Sequence, residues 1–308
     1  MRRPPPLSLV ANLLKNAAAP VAIPLRPGRD CLGMDGDPDA VAAVLRQLAE
    51  PLAASGFRAK GATVAELGPG RTPDLAAALA LAGAARATGF DTSLHVPADA
   101  TATARYVRLV ELLAQPGHPF PESVGTTARD LVARSVDTSR PRLPIAFTRY
   151  DGTRLPVRDA SLDLVVSKSV LEHVRLKDVD PLLGEVALVL RPGGRTVHII
   201  ALRDHLHIEG DEGVSGDWLE ALRYPEWLHR AMFSNRSTSI NRLRRTQWID
   251  RFERAGLGVA CARTVTFPLS PGFNAAALQP PWSDMGEEEL RVGILTVAAA
   301  RPAPSPSS

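Results

Sequence analysis

From Ala62 onward the chain alternates short extended runs with stretches of helical period, and this alternation limits the fold more than any other feature. Neighbouring parallel strands need a crossover between them, and a helix is the usual one. Strand and helix in turn therefore mean an α/β protein with a mainly parallel sheet covered on both faces. The extended runs are Ala62 to Leu67, Arg86 to Asp91, Ile145 to Tyr150, Leu162 to Ser167 and Gly194 to Ala201, with Gly258 to Phe267 and Val292 to Ala299 as a closing pair. Helical spacing covers Pro73 to Ala84, Ala102 to Gln115 and Val179 to Leu190. Ahead of these, Asp37-Pro38 reads as an N-cap and first helical residue. Val41, Val44, Leu45, Leu48 and Leu52 then recur at helical spacing up to a stop near Gly56.

The 308 residues, 45% hydrophobic and 22% charged, suffice for one large core. We expect a Pro-rich, loosely ordered segment over 1–35, one domain over 36–300 and a disordered tail over 301–308. The stretch 92–143 is too long for a simple connection and reads as a lid or insertion, with a short helical pattern near Thr126 to Arg134. Two cysteines exclude a disulfide framework and a structural zinc site. A net charge of only +3 disfavours a nucleic-acid partner. The apolar stretch behind Arg2-Arg3 is broken by Asn12, Lys15 and Asn16, and Leu75 to Ala85 is about half the ~20 residues of a membrane span. The expectation is a cytoplasmic, enzyme-sized protein with no membrane segment.

The first strand runs into Leu67-Gly68-Pro69-Gly70-Arg71-Thr72-Pro73, a glycine turn that opens a helix. Glycines there admit positive φ and close approach of a ligand, and the helix start offers unpaired N–H groups. A dinucleotide fingerprint would place its third glycine three residues after Gly70, where Pro73 stands, so a nicotinamide or flavin site is disfavoured. A ligand without phosphates, held by carboxylates on its ribose hydroxyls and amine, suits the acids Glu66 and Asp91 better.

Taken in order, Glu66-Leu-Gly-Pro-Gly70, Asp91, Asp151-Gly-Thr-Arg-Leu-Pro156, Leu162-Asp-Leu-Val-Val-Ser-Lys-Ser-Val-Leu-Glu-His173 and Leu190-Arg-Pro-Gly-Gly194 resemble the motifs of class I S-adenosylmethionine-dependent methyltransferases of the methyltransferase type 11 kind. The resemblance spans about residues 60 to 300. It implies a Rossmann-like fold with a mainly parallel seven-stranded sheet, helices on both faces and a closing antiparallel strand. It also implies S-adenosyl-L-methionine as cofactor. By position it places the methionine part on Gly68 and Gly70, the ribose hydroxyls on Asp91 and the adenine amino group on Asp151, with Glu66 and Ser167 added to the cofactor set. Pro69 stiffens the turn relative to the family's usual Asp-x-Gly-x-Gly.

Methyl transfer requires alignment, exclusion of water and, for a hydroxyl acceptor, a base. His205 and Asp204, which open the segment 204–250 expected to cover the acceptor, and His173 after the fourth strand are the catalytic candidates, with His207 next; His198 is read as core. Ser169-x-x-Glu172-His173 is similar to the Glu-x-x-Glu-His metal site of ubiquinone O-methyltransferases and small-RNA methyltransferases. Ser169 replaces the first acid, so no metal is expected and Glu172 with His173 reads as a packed cap. Residues 216–255 are rich in aromatics and Arg; Trp248, Ile249 and Phe252 read as core, and Arg242, Arg244 and Arg245 as a solvated face. The function expected is O-methylation of a small-molecule or glycan-like acceptor. The alternatives are a non-catalytic methyltransferase-like nucleotide-binding module and an RNA methyltransferase.

Overall fold

The computed structural model describes residues 38–70, 74–92, 110–116, 129–130, 145–204, 218–233 and 239–303. The sequence expectations for 1–35 and most of 92–143, together with Thr72, Pro73, His205 and His207, lie outside them. Helix α1 (Pro38–Ala54) is followed by β1 (Thr63–Leu67), α2 (Asp74–Leu81), β2 (Arg86–Asp91), β3 (Ile145–Arg149) and β4 (Leu162–Lys168). Then come α3 (Leu176–Val189), β5 (Leu190–Ala201), α4 (Glu226–Phe233), α5 (Arg245–Arg254), β6 (Gly258–Thr266), the short α6 (Glu287–Leu290) and β7 (Val292–Ala300).

The strands form a seven-stranded sheet in the order β3-β2-β1-β4-β5-β7-β6. Strands β1 to β5 pair in parallel, whereas β7 is antiparallel to both β5 and β6. The central strands are apolar on both faces because both are covered, as parallel sheets require. Alternation then assigns the faces. Val64, Leu164, Val166, Val197 and Ile199 pack with α1 and α2, while Ala65, Leu67, Val165 and Ile200 pack with α3 and α5. In α2 every residue from Leu75 to Leu81 is buried, so a helix apolar all round is fully enclosed.

Strand β5 starts at Leu190 and not at Gly194, since Gly194 fits closely against the Arg191 and Leu162 carbonyls and lets the strand continue through the Pro-Gly-Gly turn. Arg301, expected as the first residue of a tail, is bonded into the sheet. Arg301 pairs its backbone with Gly193 and Gly194 and sends Nη1 to the carbonyls of Ala187, Leu188 and Leu190. The Arg242–Arg245 face is not solvated as its spacing suggested. Arg244, 1% exposed, donates to the carbonyls of Leu202, Glu289, Leu290 and Val292, and its burial brings the guanidinium down to about 10. A planar fork of five donors can satisfy several strand-end carbonyls at once, which is why an Arg is tolerated there. Among the described residues no helix is long and apolar enough to cross a membrane.

Candidate active site

Strand order reverses between β1 and β4, and in an open parallel sheet a ligand crevice lies beyond the carboxyl ends of the strands at such a point. The turn after β1 occupies that edge. Gly68 has φ +61° and Gly70 φ +62°, left-handed values that disfavour any side chain. Their surroundings differ. A Cβ on Gly68 would stand 2.5 Å from Cγ2 of Val170, so this glycine lets the β1 turn close on the turn after β4. Among the described residues a Cβ on Gly70 would meet nothing within 4 Å, which leaves space beside it for a ligand.

Asp91 ends β2 and reaches the glycine turn, where Oδ2 accepts the Gly70 N–H at 3.1 Å. The structure thus joins two residues that stand far apart in the chain. Asp151 follows β3, and its Oδ1 accepts from the Thr153 N–H, the Thr153 hydroxyl and the Arg154 N–H, each at 2.8 Å. Those donors hold its carboxyl down at about 2, ionised and oriented. Between the two acids lies Tyr150, which sequence reasoning passed over. Burial, then the charges of Asp91 and Asp151, push its phenol up to about 12. Its position just before Asp151 at the end of an expected strand was the signal available.

Glu66 turns to the other side of its strand. It is 5% exposed, and Oε2 accepts from the Ala76 N–H at 2.8 Å, in the first turn of α2. An anion is favoured at that end of a helix, so Glu66 anchors α2 behind the glycine turn. Ser167 is fully buried on the α3/α5 face. Its Oγ lies 2.7 Å from His198 Nδ1, and His198 Nε2 lies 2.5 Å from the Thr196 hydroxyl. Burial brings His198 down to about 3, so this polar set is neutral and belongs to the core. The Ser167 hydroxyl therefore points into the core and not into the crevice.

Of the expected bases, His173 ends a 3-10 turn (Leu171–His173) with Nδ1 3.2 Å from the Ser239 carbonyl, and burial lowers its pKa. Asp204 is 4% exposed and ties residues 218–221 to the end of β5: its N–H donates to the Trp218 carbonyl, and Oδ2 accepts from the Ala221 N–H at 3.1 Å. Glu172 is enclosed between the ends of β4 and β5. Its Oε1 accepts from the Ala201 N–H at 3.2 Å, and burial pushes the carboxyl up from 4.5 to about 7. Asn241 locks this turn from outside by donating Nδ2 to the carbonyls of Leu171 and Val174 and its N–H to that of Glu172. Glu172 and His173 thus diverge to separate partners. Among the described residues no group of three His, Cys, Asp or Glu converges as a metal site.

The arrangement offers an open glycine turn, one carboxylate tied to it and a second, ionised carboxylate one strand further along. Residues 122–198 match a family model described as a methyltransferase domain. No curated protein sequence matches the chain. Similar solved structures include an S-adenosylmethionine-dependent methyltransferase from Mesorhizobium loti, at 18% identity and TM-score 0.46, covering 85% of this chain and 99% of that one. A methyltransferase from Methanosarcina mazei, at 13% and 0.45, covers 80% and 94%. A geranyl diphosphate C-methyltransferase from Streptomyces coelicolor, at 14% and 0.44, covers 85% and 78%. A fold hosts many chemistries, so function is argued from the site.

Proposed function

We propose that this chain is an S-adenosylmethionine-dependent methyltransferase of the class I fold that methylates an oxygen of a small-molecule or glycan-like acceptor. The observation that carries the reading is the glycine turn held by Asp91, with open space at Gly70 and Asp151 ionised at the next strand end. The residues fit the cofactor. Gly70 leaves room for its methionine part, and Asp91 would accept from the ribose hydroxyls. Asp151 would face the adenine amino group, and Glu66 would hold α2 in place behind them. When bound, S-adenosyl-L-methionine supplies an electrophilic methyl group on a sulfonium. The remaining work is alignment of the acceptor and exclusion of water, plus removal of one proton from a hydroxyl. His173 and Asp204 are engaged in structural bonds, so the base role goes to His205 at the start of the covering segment.

Calorimetry with S-adenosylhomocysteine tests the site. Charge-assisted hydrogen bonds are worth about 1.5 to 3 kcal/mol, so Asp91→Ala should weaken binding roughly ten-fold or more. The ligand-free melting temperature should barely change, since Asp91 is partly exposed. No binding by the wild type would refute the reading. The engagement of His173 and Asp204 favours one rival, a nucleotide-binding module without turnover. Labelled S-adenosylmethionine offered with fractionated small-molecule and RNA extracts separates the two: binding without transfer of label to any fraction selects the module.

A further inference from the structure

A cleft of about 1120 Å³ lies between the start of α3, helix α4, the segment 239–243 and Pro281-Trp282. Asn241 and Ser239, which line the cleft, hold the turn at Leu171–His173, and Val170 just before that turn packs against Gly68. Among the described residues its lining is lopsided in charge: Arg175, Lys177, Arg230, Arg242 and Arg251 face one carboxylate, Glu226. Arg242 is paired with Glu226, and Arg251 with Asp180 just outside. Among the described residues no ion pair engages Arg175, Lys177 or Arg230, so three positive charges on the cleft have no described carboxylate paired with them.

Flat apolar surface lies beside them. Trp227 is 71% exposed, an unusual position for so large an apolar ring unless something covers it. The floor is built rather than loose. Arg242 stacks on Trp282 at 4.4 Å and donates to the carbonyls of Ala221 and Tyr224, while the Trp282 indole N–H donates to the Arg242 carbonyl at 3.0 Å. Guanidinium forks and an ammonium recognise phosphate oxygens, and an exposed indole stacks on a planar ring. The volume is slightly above the usual range of small-molecule pockets, and the chain's net charge of +3 argues against a long polyanion. We propose that this cleft binds a small ligand carrying a phosphate ester on a planar ring, a nucleoside monophosphate or an aryl phosphate. The inference does not depend on the methyltransferase reading.

Phenyl phosphate is the probe, titrated against tryptophan fluorescence of the full chain, with phenol and inorganic phosphate as single-feature controls. The expected result is saturable binding of phenyl phosphate that weakens as salt is raised. The triple variant Arg175→Gln, Lys177→Gln, Arg230→Gln breaks no ion pair among the described residues and should weaken it about ten-fold or more. Trp227→Ala should weaken phenyl phosphate about five-fold, leaving inorganic phosphate unchanged. Adenosine 5′-monophosphate, titrated in an Asp91→Ala background, assigns the source: tighter binding than phenyl phosphate identifies a nucleotide, weaker binding an aryl phosphate. The proposal is overturned by no binding up to about 10 mM, by equal binding to the triple variant, or by phenol binding as well as its phosphate. A single-stranded RNA oligomer binding far more tightly than either monophosphate would also overturn it, in favour of a nucleic-acid groove. S-adenosylhomocysteine calorimetry on the triple variant reads the glycine turn alone and should be unchanged, so failure of either reading shows separately.

Discussion

Glu172→Gln probes the acid enclosed between the ends of β4 and β5. Burial raises its carboxyl from 4.5 to about 7, against the smaller opposing effects of the N–H donors and Lys168. For an acid raised on folding, the native state keeps a proton that the unfolded chain releases. Its contribution to stability is therefore fully present below 4.5 and is lost as pH rises through 7. The gap between 4.5 and 7, at about 1.4 kcal/mol for each pH unit, amounts to roughly 3 kcal/mol. Glutamine keeps an oxygen for the Ala201 N–H and never ionises. The variant should match the wild type near pH 4.5 and exceed it by roughly 3 kcal/mol above pH 8. Buried His198 and His229, both pulled down to about 3 by burial first, oppose this trend as the pH falls, but they act alike in both proteins and cancel in the difference. Urea unfolding from pH 4.5 to 9 at constant ionic strength measures it. A difference that stays under about 1 kcal/mol across the range would refute the buried-acid argument.

Gly70→Ala should cost the ligand-free protein roughly 1 kcal/mol through its positive φ and weaken S-adenosylhomocysteine binding about ten-fold, read by urea unfolding and calorimetry. Gly68→Ala should cost more because of Val170, and Val170→Ala in the same chain should restore part of the loss; strictly additive costs would show that the overlap is not felt. Arg244→Met leaves four carbonyls without their donor and should lower stability by roughly 3 kcal/mol or more in urea unfolding. His198 is held neutral by burial, so its contribution is present above 6.5 and lost as pH falls toward 3. Its imidazole resonances should stay those of the neutral ring from pH 8 to 5, and titration near 6.5 would contradict the buried cluster.

Local pattern carried much of this protein. Alternating strands and helices, the Gly68 and Gly70 turn and acids at strand ends are written in residue spacing, because period and turn chemistry are local properties. So the doubly wound sheet was legible, as were Asp91 and Asp151 at its carboxyl edge. Direction within the sheet was not. Glu66 and Ser167 sit near strand ends, where an active-site acid and hydroxyl are expected, yet pleating turns Glu66 toward α2 and Ser167 toward His198. Which partner waits on each face depends on register between β4 and β5 and on helices many residues away. The Arg242–Arg245 run shows the same limit: by spacing it is a wet helix start, and only the approach of β5 and β7 supplies the carbonyls that bury Arg244. Residue type and period determined the elements and the turn that joins them at the crevice. Long-range packing decided which side chains face a ligand, since a side chain's role depends on what the fold brings against it.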